Sequence, residues 1–151
     1  MQVFHLGKSK YAGDLTGKGA ELFAGRWNRK GVPCIYTAST LSLSVLEYAV
    51  NNSLDNIPRA LSYTIYEIPD KEYKKFPISS LPGDWLDRPA PVSTMDFGTQ
   101  LLREGIHLVI AVPSVIVPEE YNFLINPLHK DLKKIKVAGV KDFVFDVRLK
   151  Q

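Results

Sequence analysis

Ten glycines and ten prolines punctuate the 151 residues, and they are bunched rather than spread. Six of the glycines (Gly7, Gly13, Gly17, Gly19, Gly25 and Gly31) lie in the first 31 residues, and five of the prolines lie between residues 69 and 92. Glycine permits left-handed turns and close backbone approach, whereas proline removes a backbone donor and ends helices. Neither stretch can carry long regular elements, so the fold must be built from what surrounds them. The first stretch is expected to be mostly turns with one short strand near Val3–Leu6, and the second a long irregular excursion rather than a second domain. The length suits one compact core and is too short for two.

Between and after these stretches the patterns are clearer. Pro33–Thr37 reads as a short buried strand, and hydroxyls from Thr37 to Thr40 offer a cap for a helix over Leu41–Asn52. In that helix Ser42, Leu46, Ala49 and Val50 are spaced to face inward. Ala60–Ile68, rich in aromatic and β-branched residues, predicts a strand stopped by Pro69. Ser93-Thr94-Met95-Asp96 resembles a capping box that opens a helix running to about Arg103 and ended by Gly105. Ile106–Val112 is an apolar run expected to form the central strand, followed by strand-like pieces at Tyr121–Ile125, Lys134–Val137 and Phe143–Leu149. The class is α+β, a single domain over residues 1–151 with a mixed sheet and few helices.

Composition narrows the function. No apolar run reaches the ~18 residues of a membrane span, and no signal peptide is evident at the start, so a cytoplasmic protein is expected. One cysteine, Cys34, excludes an internal disulfide and a multi-cysteine zinc site, and its place in a short apolar run makes it a structural residue. The net charge of +3 divides into +4 over residues 1–38, −5 over residues 39–127 and +4 over residues 128–151. Two basic ends that met in space would attract phosphates, and solvated edge strands explain the same lysines equally well.

Familiar catalytic motifs fail. Gly17-Lys18-Gly19 lacks both the spacing and the preceding strand of a phosphate-binding loop. His5, His107 and His129 have no metal-ligand spacing, and Ser114 lies in Val-Pro-Ser-Val rather than in a nucleophile elbow, so no metal site is expected. What remains is a set of polar residues in odd places. Arg26 offers a planar fork suited to phosphate beside Gly25, although stacking on Trp27 would serve it as well. Tyr36 sits in a strand, either as a rim tyrosine or as a stacking platform, and Glu47 borders an apolar helix face. Ser114 and Asn122 follow strand ends, where turn chemistry also explains them.

Taken in order, Gly25-Arg26-Trp27-Asn28, Tyr36-Thr37-Ala38-Ser39, Leu46-Glu47, Val112-Pro113-Ser114, Asn122-Phe123-Leu124-Ile125-Asn126-Pro127 and Phe145-Asp146-Val147-Arg148-Leu149 resemble the RES-domain family. The resemblance runs from about residue 3 to residue 149, and Trp85 with Pro89-Ala90-Pro91 matches the family's middle section. It implies a fold similar to the ADP-ribosyltransferase core and a bacterial toxin that cleaves the nicotinamide–ribose bond of NAD by hydrolysis or with phosphate as co-substrate. NAD is then the substrate, with no cofactor. It also implies neutralisation by an Xre-like helix-turn-helix antitoxin, in a complex that allows a toxin homodimer, and no direct nucleic-acid binding. Carried over residue by residue, Arg26, Glu47 and Ser114 become the catalytic set, and Trp27, Asn28, Tyr36 and Asn122 the substrate-binding set. One departure stands out: many members carry an arginine close to the first strand, where this chain has Val3-Phe4-His5-Leu6, so its role falls to His5, to Lys8 or to nothing, the last with weakened activity. Two rivals remain at this stage. One is transfer of ADP-ribose to a macromolecule; the other is a non-catalytic nucleic-acid module with Tyr11, Trp27 and Tyr36 as stacking platforms.

Overall fold

The computed structural model describes residues 1–53, 55 and 57–150. Seven strands form one sheet: β1 (Gln2–Lys8), β2 (Ile35–Ala38), β3 (Leu61–Glu67), β4 (Tyr73–Lys75), β5 (Val109–Pro113), β6 (Tyr121–Ile125) and β7 (Lys136–Phe143). Their spatial order is β4-β5-β6-β2-β1-β3-β7, with β4 parallel to β5 and every other pair antiparallel. Three helices accompany them: α1 (Lys18–Phe23), α2 (Leu41–Asn51) and α3 (Val92–Glu104). The α+β class and the mixed sheet are as the sequence implies.

Strand alternation divides the core between the two sheet faces. Val109, Ala111, Phe123 and Ile125 pack with Val3, Ile35 and Tyr66 on one face, while Ile110, Val112 and Leu124 pack with Trp27, Trp85 and Leu102 on the other. Because β5 is covered on both faces, its sequence is a continuous apolar run. Complete burial does not make it central, however: it is second from the edge, and β2 holds the middle position. A third cluster joins Leu6, Ala49, Leu61 and Phe145 beneath α2.

Helix α2 begins at Thr40, whose hydroxyl accepts the Leu43 N–H at 3.1 Å. Its buried residues are Leu43, Ser44 and Ala49, whereas Val50 is exposed and so is Ser42, which turns the helix away from the face expected of it. Ser44 decides this rotation, because its Oγ accepts the Leu6 N–H of β1 at 3.0 Å. Helix α3 starts one residue before the expected capping box. Pro91 occupies the cap position, Ser93 donates to Asp84, and Thr94 donates to the Pro91 carbonyl. Gly105 ends α3 in the left-handed region, at φ 66°.

Two further expectations give way. Helix α1 occupies part of the glycine-rich stretch, whose Gly17 takes φ 67° at the helix start. The last strand, β7, joins the end of the first expected C-terminal piece to the start of the second and lies against β3 with a bulge near Ile65. Beyond Phe143 the expected strand to Leu149 does not form, and residues Val147–Lys150 make a 3-10 turn beside the Asp146–Arg148 ion pair. No helix among the described residues is long and apolar enough to cross a membrane.

Candidate active site

A cleft of about 900 Å³ opens where β1, β2, β5 and β6 meet α2 and the proline-rich loop before α3. Its size lies within the ~300–1,000 Å³ typical of small-molecule sites. Arg26, Trp27, Tyr36, Glu47, Ser114 and Asn122 all line it. A smaller depression beside the Arg29–Asp96 surface ion pair lies elsewhere and holds none of these groups.

Sheet register brings the acidic end together. Asn122 of β6 pairs with Val112 of β5 on one side and with Ala38 of β2 on the other, next to Ser114 just beyond β5. Glu47 reaches this point from the middle of α2. Ser114 Oγ donates to Glu47 Oε1 at 3.1 Å, and Asn122 Nδ2 donates to the same oxygen at 2.9 Å. Ser114 Oγ also accepts the backbone N–H groups of Ile116 and Val117, at 3.1 and 3.2 Å. Turn chemistry and site chemistry thus hold for the same hydroxyl, which the turn aims at the carboxylate. Both side-chain bonds fall on Oε1, so Oε2 has no protein partner among the described residues. Asn122 Oδ1 is buried and also lacks one among them.

The other end is built around Tyr36. Its hydroxyl donates to Asn28 Oδ1 at 2.6 Å and accepts the Trp27 N–H at 3.0 Å. Burial pushes its ionisation well above the usual tyrosine range, so it acts as a neutral phenol. Gly25 has to be glycine here, because a Cβ would lie 2.6 Å from the phenol oxygen. Asn28 does not line the cleft. It is fully buried, and its amide donates to the carbonyls of Ala20 and Val32 at 2.8 and 2.9 Å. Its place is therefore behind Tyr36, which it orients, and out of reach of a substrate. Trp27 lines the cleft but is buried against Phe97, edge to face at 5.9 Å.

Arg26 is not a surface arginine free to wander. Its Nη1 donates to the carbonyls of Trp85 and Asp87, at 3.0 and 2.9 Å. Burial, and secondly the nearby Arg88 charge, lower its pKa, while Glu47 opposes them. It remains a cation at neutral pH all the same. Sequence reasoning passed over Arg88, which also lines the cleft. The available signal was its position in Asp87-Arg88-Pro89-Ala90-Pro91, a loop too rich in proline to carry regular structure. His5 of β1 lines the cleft as well, and its Nδ1 donates to the Tyr36 carbonyl at 2.8 Å. Lys8 is not among the lining residues. Cys34 is buried, and burial pushes its thiol pKa up, as befits a packing residue. Among the described residues no three His, Cys, Asp or Glu side chains group to hold a metal.

The family model described as RES domain matches residues 2–147. The chain belongs to the RES-domain family. A relative from Yersinia enterocolitica named Toxin Res is 37% identical over 152 residues, covering 99% of this chain and all of that one. A Sphingobium relative, named Prs ADP-ribosylating toxin, is 38% identical over 141 residues, covering 91% of this chain and 88% of its own. The toxin–antitoxin complex MbcT–MbcA from M. tuberculosis offers a structural match with TM-score 0.77 over 99% of this chain and 87% of the other, at 14% identity. At that identity the match speaks for the RES fold alone, which this chain shares from end to end.

Proposed function

We propose that this RES domain is a toxin enzyme that cleaves the nicotinamide–ribose bond of NAD. The observation that carries the reading is a carboxylate, Glu47, fixed through one oxygen by Ser114 and Asn122 in the same cleft as a clamped arginine. Nicotinamide leaves as a neutral base, taking the electron pair of the bond, so little acid catalysis is needed. Positive charge develops on the ribose instead, and a preorganised carboxylate stabilises it more than it stabilises the neutral ground state. Glu47 Oε2 is the atom suited to that task, by accepting a ribose hydroxyl whose bond strengthens as the sugar becomes cationic. Arg26 holds the diphosphate, the Tyr36 ring stacks on nicotinamide, and Ser114 and Asn122 keep Glu47 in place.

The acceptor is water or inorganic phosphate. A second reading, transfer of ADP-ribose to a macromolecule, is favoured by the name of the Sphingobium relative. MbcT, the structural match, is a toxin held in a complex with its antitoxin MbcA, which supports a further part of the proposal: a neutralising antitoxin partner in the same cytoplasm. One experiment separates the outcomes. Purified protein is incubated with NAD labelled in the adenylate half, with and without phosphate, and nicotinamide is measured alongside the fate of the label. Soluble product that depends on phosphate means phosphorolysis, soluble product without it means hydrolysis, and label on added macromolecule means transfer. No nicotinamide release under any condition overturns the proposal.

A further inference from the structure

The cleft holds a second cation that has no task so far. Arg88 lines it, is exposed, and has no hydrogen bond or ion pair among the described residues. Its neighbours explain why it stays there. The two carbonyls bound by Arg26, those of Trp85 and Asp87, belong to the loop immediately before Arg88. Arg26 therefore fixes the loop that carries Arg88, and two guanidiniums share one cleft.

Counter-charge near them is limited to Glu47 and Asp87 among the described residues. Glu47 is the one carboxylate among the lining residues, and it is engaged by Ser114 and Asn122. Asp87 gives Arg26 its carbonyl, and its carboxylate is not part of the lining. Of the charges around Arg26, Arg88 has the largest influence, and it is repulsive. Two like charges sharing one cleft repel, and a ligand with two adjacent anionic groups relieves the repulsion. We propose that Arg88 is a binding residue for the dinucleotide substrate, the second arm of a two-arginine clamp that takes one phosphate of the diphosphate while Arg26 takes the other. This rests on the NAD reading for the substrate's identity, but the clamp selects a chemical class: diphosphate esters over monophosphates. Each planar fork suits one phosphate, and Arg26 keeps nitrogens free after its two carbonyl bonds.

The test measures binding separately from turnover. Wild type, Arg88→Ala, Arg88→Lys and a charge control, Lys133→Ala on a distant exposed turn, are titrated with ADP and with AMP by calorimetry. Loss of one charge-assisted phosphate contact should weaken ADP binding by roughly tenfold and AMP binding much less. Arg88→Lys should restore part of the loss, and Lys133→Ala should match wild type. With NAD, Arg88→Ala should raise KM by more than it lowers kcat. If Arg88→Ala binds ADP like wild type and leaves KM for NAD unchanged, the clamp is overturned even though NAD cleavage stands. Equal losses for ADP and AMP also overturn it, because Arg88 would then not read the second phosphate. A wild-type protein that binds ADP, with the expected Arg88 dependence, but releases no nicotinamide would overturn the NAD-cleavage reading and leave the clamp intact.

Discussion

Glu47 receives two hydrogen bonds on one oxygen, which makes a sharp substitution available. Glutamine keeps a carbonyl oxygen that can accept from both Ser114 and Asn122, so Glu47→Gln removes the charge and little else. Groups aimed at transition-state charge are typically worth ~3–4 kcal/mol. Turnover of NAD should therefore fall roughly a hundredfold to a thousandfold, while NAD affinity changes far less. A folded Glu47→Gln protein with wild-type turnover would reduce the carboxylate to an ordinary helix-border acid. His5 carries a different prediction, in stability. Burial lowers its pKa below 6.5, against the bond to the Tyr36 carbonyl and the Asp14 charge, which raise it. The unfolded chain takes up this proton near 6.5 and the folded chain resists it, so stability should fall as pH drops below about 6.5 and level off under the folded pKa. His5→Gln removes this titration. Urea midpoints measured from about pH 7.5 down to about pH 5 should slope less for the variant, and parallel slopes would assign the acid sensitivity to other groups.

Among the elements, α3 is held to the site by the absence of a side chain. A Cβ on Gly98 would overlap the Trp27 carbonyl oxygen, so the helix rests directly on the backbone that donates to Tyr36. Gly98→Ala should destabilise by about 1–3 kcal/mol or more as helix and loop segment part, and NAD turnover should drop with it. Gly19 in α1 meets nothing within 4 Å, and Gly19→Ala should instead stabilise by about 0.5–1 kcal/mol through helix propensity. Thermal melts of the two variants should move in opposite directions, and a Gly98→Ala protein as stable as wild type would mean that α3 slides freely. The same elements show what the sequence could and could not disclose. β3 and β6 announce themselves because their local pattern agrees with the buried surface they meet, whereas α2 announces its place through its Thr40 cap but not its buried face, which Ser44 and β1 decide. β7 does not: Ala138 and Gly139 interrupt its β-branched residues, and it exists because β3 offers a ladder for its backbone. Short α1 hides among glycines, and Asn28 reads as a ligand-binding residue because sequence cannot tell a polar side chain facing substrate from one that orients the tyrosine in front of it. Arg26, Glu47 and Ser114 were legible through motif order. The partner loop that places Arg88 was not, since a hydrogen bond to its carbonyls leaves no trace in residue type.

For the whole molecule, the distribution of charge favours a small anionic substrate over a nucleic acid. The basic C-terminal block does not reach the cleft: its strand β7 lies at the far edge of the sheet, Lys134 pairs with Glu72 and Arg148 with Asp146. No lysine lines the cleft, whose fixed positive charges are Arg26 and Arg88 alone among its lining residues. A nucleic-acid interface needs many phosphate contacts along a basic stripe and loses affinity steeply with salt. The cleft instead suits one compact ligand held between these arginines and the Glu47 network. Toxicity should then follow the chemistry of this one cleft. Induced expression of the wild-type chain in bacteria should arrest growth and lower cellular NAD, with the fall in NAD preceding the arrest. Glu47→Gln, made to the same level, should do neither, and co-expression of a cognate neutralising protein should prevent both effects of the wild type. Growth arrest by Glu47→Gln equal to that of wild type would show that toxicity lies outside NAD cleavage, and arrest with undiminished NAD and labelled macromolecule would move the assignment to ADP-ribose transfer.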